Sequence, residues 1–284
     1  MLASMTSDYA TGTGCPEPYL HRIAEAGFTH THWCHQWCTD FLYSTSEIDQ
    51  IAAWLKAYGV QLLDLHASHG MEKGWVSERE YERLSGLELV ANRIEMTARL
   101  GADVIILHIP TEPEEASCAQ AFRERLWRSI DNLLPLLGNC GVRVAFENMS
   151  HDNFPLLREV AARFSADRVG ICYDAGHGNI GDNDGLGDLE SLKDRLISVH
   201  LHDNDGTGDQ HLPLFDGTID WPRLARIIAS SSYSKPPNLE SAIRASAYED
   251  EREFLRHAYE GAQRFAKMLE TERAAHQETT KRDK

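Results

Sequence analysis

Basic residues are scarce in this sequence, 28 Lys and Arg against 44 Asp and Glu, for a formal charge of −16. A polyanion such as DNA is repelled by that field unless a local basic stripe opposes it, and no such stripe is present. Long apolar runs are missing too. None approaches the ~20 residues that a membrane span needs, and no basic flank leads into an apolar stretch at the N-terminus. Cysteines are few and scattered (Cys15, Cys34, Cys38, Cys118, Cys140, Cys172), which excludes the dense disulfide framework of small secreted domains and fits reduced thiols. A cytoplasmic protein is the expectation. Gly-rich phosphate loops are absent as well: neither G-x-G-x-x-G nor G-x-x-x-x-G-K-[ST] occurs, which argues against a nucleotide-binding open sheet.

What is there is an alternation. Short β-rich runs at 2–6, 28–33, 60–67, 103–110, 142–148, 168–174, 197–203 and, weakly marked, 238–241 are separated by helical patterns near 17–26, 47–58, 78–100, 115–138, 153–164, 187–195, 221–231 and 249–270. Strands alternating with helices spell a parallel sheet joined by crossover helices. Gly27, Gly59, Gly101 and Gly141 each stand between a helix and the next strand, where a left-handed residue ends the helix. Eight repeats in 284 residues predict an α/β fold, a single (β/α)8 barrel domain over residues 1–284, with residues 272–284 a charged tail extending the last helix.

In a barrel of this kind the chemistry sits where strands finish, at the C-terminal face. Six of the eight runs finish in residues able to bind a metal: His66, His108, Glu147, Asp174, His200 and Glu240. Residues two apart on a strand share a face. That parity predicts Ser198, His200 and His202 facing the lumen with Ile197, Val199 and Leu201 facing the helices. It likewise turns Glu147 inward on the fifth strand and Cys172 and Asp174 inward on the sixth. Carboxylate oxygen with imidazole nitrogen is a ligand mix for a divalent metal: Mn, Zn, Co or Mg. His177 leaves the sixth strand through a Gly turn, and Asp209 and His211 follow the seventh; these, with His66 and His108, are additional metal or substrate candidates.

The stretch HTHWCHQWC (30–38) brings His30, His32, Cys34, His35 and Cys38 close in sequence. A Cys/His metal site there lacks a second ligand pair at the usual spacing, so a strand with core residues is the favoured reading. Trp33 and Trp37, with His202, are then weak substrate-pocket candidates, because an aromatic floor suits a sugar ring.

The segments FEN (146–148), YDAGH (173–177), HLHDNDGTGDQHLP (200–213) and DGTIDW (216–221) together resemble the xylose isomerase-like TIM-barrel superfamily, over roughly residues 60–241. That superfamily includes sugar phosphate isomerases and epimerases, inosose dehydratases and the family-2 apurinic/apyrimidinic (AP) endonucleases. Resemblance to the isomerase and epimerase branch implies a divalent metal held by Glu147, Asp174, His200 and Glu240. It also implies Glu147 and Glu240 as the acid/base pair that moves a proton alpha to a carbonyl through a metal-bound enediolate. His177 falls where the family places a substrate hydroxyl contact. The endonuclease branch adds ligands for a trinuclear zinc centre, at positions matching His66, His108, His177, Asp209 and His211. One departure stands out: the family's Gly-Glu-Gly turn after His-Leu-Pro is replaced by Phe215-Asp216-Gly217.

The leading expectation is a metal-dependent sugar isomerase or epimerase of carbohydrate metabolism, acting on a small sugar or polyol. The rivals are a zinc-dependent AP endonuclease-type hydrolase, a lyase or dehydratase on a polyol or modified sugar, and a non-catalytic metal-binding module. Few basic residues near the seventh strand argue for an unphosphorylated substrate, although Lys73 and Arg244 are placed to meet a phosphate. A homo-oligomer is the default for such enzymes.

Overall fold

In the computed structural model, residues 1–36, 42–67, 74–182 and 184–282 are described, with side chains described through residue 278. Eight parallel strands, β1 (Ser4–Thr6), β2 (His30–Trp33), β3 (Gln61–His66), β4 (Val104–Leu107), β5 (Arg143–Glu147), β6 (Val169–Asp174), β7 (Leu196–His200) and β8 (Asn238–Leu239), alternate with eight helices. The helices are α1 (Glu17–Glu25), α2 (Thr45–Tyr58), α3 (Glu80–Arg99), α4 (Ala116–Cys140), α5 (Phe154–Arg163), α6 (Gly185–Leu192), α7 (Trp221–Ala229) and α8 (Glu251–Arg282). The strands pair in the order β7-β6-β5-β4-β3-β2-β1-β8. A parallel bridge closes the ring: Leu201 N donates to Asn238 O (2.9 Å), and Glu240 N donates to Leu201 O (3.0 Å). The predicted (β/α)8 barrel is the observed fold.

Local signals account for the boundaries. Ser44 caps α2 in a reciprocal box with Glu47, satisfying two of the amides that a helix start leaves unpaired. Gly27, Gly59, Gly101 and Gly141 all adopt positive φ, as the helix-to-strand punctuation requires. The main core lies between strands and helices, where Val144, Phe146, Ile171, Tyr173, Val199 and Leu201 pack outward. A smaller cluster of Val104, Ile106, Ala145, Cys172 and Ile197 fills the lumen.

Ile197 corrects the parity reading. It was expected to face the helices, but the β6–β7 register shifts, with Ile171 paired to Leu196 and Cys172 to Ser198, so Ile197 is the extra residue of a bulge. It joins the lumen cluster and occupies the space beside Gly170, where an added Cβ would lie 2.5 Å from Ile197 Cγ1. Beyond the bulge the alternation resumes, and His200 faces the lumen as predicted.

Candidate metal centre

Above the apolar lumen cluster the barrel interior turns polar. Glu147 ends β5, Asp174 ends β6, His200 ends β7 and Glu240 directly follows β8. One ligand atom from each of the four lies within 4.8 Å of all the others. His200 Nδ1 is the hub, 3.2 Å from Glu147 Oε2, 3.3 Å from Glu240 Oε2 and 3.9 Å from Asp174 Oδ2. The ring is fully buried, and neither nitrogen has a hydrogen-bond partner among the described residues. An orphaned buried nitrogen facing three carboxylates is an expensive arrangement unless a cation sits among them. The residues therefore fit a divalent metal, and its ligands would be these four.

The surroundings hold the ligands in place. Asn148 clamps the Asp174 backbone in both directions, its Nδ2 donating to Asp174 O (3.0 Å) and its Oδ1 accepting from Asp174 N (2.8 Å). Asp174 Oδ1 accepts from the His177 amide (2.6 Å), and Oδ2 lies 3.0 Å from His202 Nε2. Deeper in the loop after β7, the buried Asp203 carboxylate accepts from Phe215 N, Ile219 N and Trp221 Nε1 at 2.9–3.2 Å. This hub explains why HLHD and DGTIDW belong together. Phe215 makes the turn with φ 74°, a left-handed conformation unusual for a non-Gly residue, and is held there by Arg264 over its ring at 3.8 Å.

A second group adjoins the first. His66 Nε2 lies 3.0 Å from His108 Nε2, which lies 3.2 Å from Glu147 Oε2, and the three side chains offer ligand atoms within 4.8 Å of one another. A third runs along the rim: Asp209 meets His177 Nε2 through Oδ2 and His211 Nε2 through Oδ1, both at 3.3 Å. His211 stacks on His202 with centroids 4.0 Å apart and planes 9° apart, and its Nδ1 is 2.7 Å from Glu240 O. Every histidine, aspartate and glutamate proposed as a ligand from the sequence is thus gathered at one end of the barrel.

Titration of the site's own groups reflects its excess of carboxylate. Burial would raise the Glu147 carboxyl, but the charges of His200 and His108 outweigh it and hold it well below the usual range. Asp174 is depressed to about 2, with His177 and His202 overcoming burial. Burial disfavours the charged imidazoles, yet neighbouring Asp174, Asp209 and Glu147 carry His177 up to about 12. His211 reaches about 10 through Asp209 and Glu240 against burial, and Cys172, Glu240 and Glu147 similarly lift His200 well above its ordinary value. Next to these carboxylates, His177, His200 and His211 hold their protons more tightly than a free imidazole.

Two aromatic candidates fare differently. Trp33 lies outside the pocket: it is 1% exposed and packs with Leu20, Ile48, Ile51 and Leu55 in a cluster between β2 and helices α1 and α2. The strand period that turns His32 into the lumen turns Trp33 out of it. Trp37 lies outside the described residues, as does Lys73. Asn148, Asp203 and Asp64, the last paired with His32 of the HTHWCHQWC stretch, also belong to this end of the barrel, and in the sequence they carry no more than strand parity or a place in a motif.

The family described as xylose isomerase-like TIM barrel matches residues 20–258. The chain belongs to this family. An uncharacterized protein, y4fM, of Sinorhizobium fredii is 32% identical over 249 residues, covering 79% of this chain and 80% of that one. Among solved structures, a D-tagatose 3-epimerase-like protein superposes with TM-score 0.79 at 20% identity, covering 95% of this chain and 99% of the other. An L-ribulose 3-epimerase gives TM-score 0.75 at 14% identity, covering 98% and 97%. The barrel is therefore of the type found in sugar epimerases. No described helix is long and apolar enough to cross a membrane.

Proposed function

We propose that this protein is a divalent-metal-dependent isomerase or epimerase acting on a small sugar or related polyol. The observation that carries the reading is the convergence of Glu147, Asp174, His200 and Glu240 from four consecutive strands within 4.8 Å, with His200 Nδ1 at the centre lacking a hydrogen-bond partner among the described residues. A proton beside a carbonyl is removable only if the oxyanion that develops is stabilised, and a bound divalent cation supplies several kcal/mol of that stabilisation. The chain's own contribution is placement. Glu147, held low by His200 and His108, is ionised and ready to accept a proton. Glu240, half-buried on the far edge of the barrel closure, is the second carboxyl, returning a proton to the reacting carbon. His177, carried on the turn after β6 and tied to Asp209, supplies a hydroxyl contact.

The test is exchange of the alpha proton of ketohexoses and keto-polyols with deuterated water, followed by NMR on protein carrying its native metal. Metal-dependent exchange that collapses in Glu147→Gln supports the proposal. A Glu147→Gln protein that keeps full metal binding and full turnover overturns it. Net loss of water from the substrate, rather than exchange, would mark a dehydratase using the same proton abstraction.

A second reading has its own support in the His66–His108–Glu147 group and the His177–Asp209–His211 chain, which together could hold further zinc ions for AP-site hydrolysis. The formal charge of −16 opposes a nucleic-acid substrate. Metal-dependent, salt-sensitive cleavage of an abasic duplex, with no proton exchange on sugars, would establish this reading in place of the first.

A further inference from the structure

His32 takes no part in the four-residue centre, yet it is fully buried in the lumen, with Nδ1 2.8 Å from Asp64 Oδ1. Asp64 is itself buried and also accepts from Ser198 Oγ and from Asn238 Nδ2. A carboxylate on one ring nitrogen fixes the tautomer: Nδ1–H donates and the lone pair is left on Nε2. That Nε2 has no hydrogen-bond partner among the described residues and faces Glu240 Oε1 across 3.9 Å. The gap is too long for a hydrogen bond, and lone pair against carboxylate is repulsive. It suits two donors sharing one small cation, for which metal–nitrogen and metal–oxygen distances are each about 2.0–2.2 Å.

Cys34, just beyond β2, completes the set. Its amide donates to Ser7 Oγ (3.0 Å), fixing the backbone, and ligand atoms of His32, Cys34 and Glu240 all lie within 4.8 Å of one another. Glu240 thus faces two ways, Oε1 toward His32 and Oε2 toward His200 Nδ1 at 3.3 Å. We propose that His32, Cys34 and Glu240 form a second metal site, for a borderline-soft divalent ion of the zinc class, bridged to the four-residue centre through the Glu240 carboxylate. Nitrogen, sulfur and oxygen donors together select zinc or cobalt over magnesium or calcium. Three protein ligands leave one position open to water or a substrate oxygen. Asp64 is the outer partner that orients the His32 ring.

The site is tested by spectroscopy rather than turnover, so its fate is separable from that of the proposed activity. Chelator-stripped, full-length protein is reloaded with cobalt(II). Sulfur-to-cobalt charge-transfer absorption in the near ultraviolet is expected in the unmutated chain, in Cys172→Ser and in Asp174→Asn, with its loss in Cys34→Ser. Cobalt bound without that band, or a band that survives Cys34→Ser, overturns the site while leaving the four-residue centre intact. Should Cys34→Ser fail to fold, X-ray absorption on zinc-loaded Cys172→Ser decides: a sulfur shell at about 2.3 Å supports the site, and nitrogen and oxygen scatterers alone overturn it.

Discussion

His200 Nδ1 lies 3.2 Å from Glu147 Oε2 without forming a hydrogen bond to it. Burial opposes the charged ring, but neighbouring Cys172, Glu240 and Glu147 raise its pKa well above the ordinary value and so favour the protonated form. A metal needs the neutral ring, and binding must expel that proton. Apparent metal affinity should therefore tighten with rising pH, by about tenfold per unit for one proton released. Calorimetry of zinc binding in buffers of different ionisation enthalpy measures the proton directly. A release of zero across neutral pH would show that His200 is not a ligand.

Glu147 is the carboxylate shared between His200 and the His66–His108 pair. Glu147→Gln keeps the shape but removes the charge, and proton exchange should fall by about 10²–10⁴-fold, the usual contribution of a positioned acid/base group. Metal content, read by elemental analysis of the same preparation, should drop with it. Thermal stability of the chelated protein should fall as well, because His200 and His108 hold the buried carboxylate ionised and its loss leaves them without that partner.

Much of this was legible in the sequence, and the exceptions have physical causes. The two-residue period of strands places Glu147, Asp174 and His200 on the lumen because each ends a strand whose outward-facing members nearest it are apolar or aromatic. The same period failed at Ile197, since a bulge adds a residue and leaves no mark in the sequence. Applied to β2 the same period turns Trp33 outward, against α1 and α2 and away from any sugar. Glu240 was found through resemblance alone, because β8 is two residues long and too short for any periodicity. Asp203 and Asn148 act through backbone amides brought from 12 to 26 residues away, a relationship with no local pattern.

His202 is predicted to tune the metal without binding it. Its Nε2 holds Asp174 Oδ2 at 3.0 Å, and its ring is wedged against Gly176, where an added Cβ would fall 1.9 Å from His202 Cε1. His202→Ala should weaken metal binding by about 10–100-fold, as loss of an outer partner does. Gly176→Ala should do the same by displacing the ring, with a further stability loss of about 1–3 kcal/mol from overpacking. Parallel metal titrations and urea melts test both. Unchanged affinity in His202→Ala would make its bond to Asp174 merely structural.

Asp64 gives a pH signature unrelated to turnover. Burial alone would raise its pKa, but the hydrogen bond from His32 Nδ1, aided by nearby Lys235 and His200, brings it down from 3.8 to about 2. A carboxylate depressed in the folded state adds stability above its unfolded pKa and loses it as pH falls through the folded value. The contribution is about 2 kcal/mol near neutrality, fading between about pH 4 and pH 2. Asp64→Asn, compared with the unmutated chain after chelation so that no metal holds His32, should be less stable by about this amount at neutral pH and should converge with it in acid. Urea unfolding across that range reads the difference. A gap of constant size would mean that the loss comes from packing and hydrogen-bond geometry, and that the Asp64 charge does not stabilise the barrel interior.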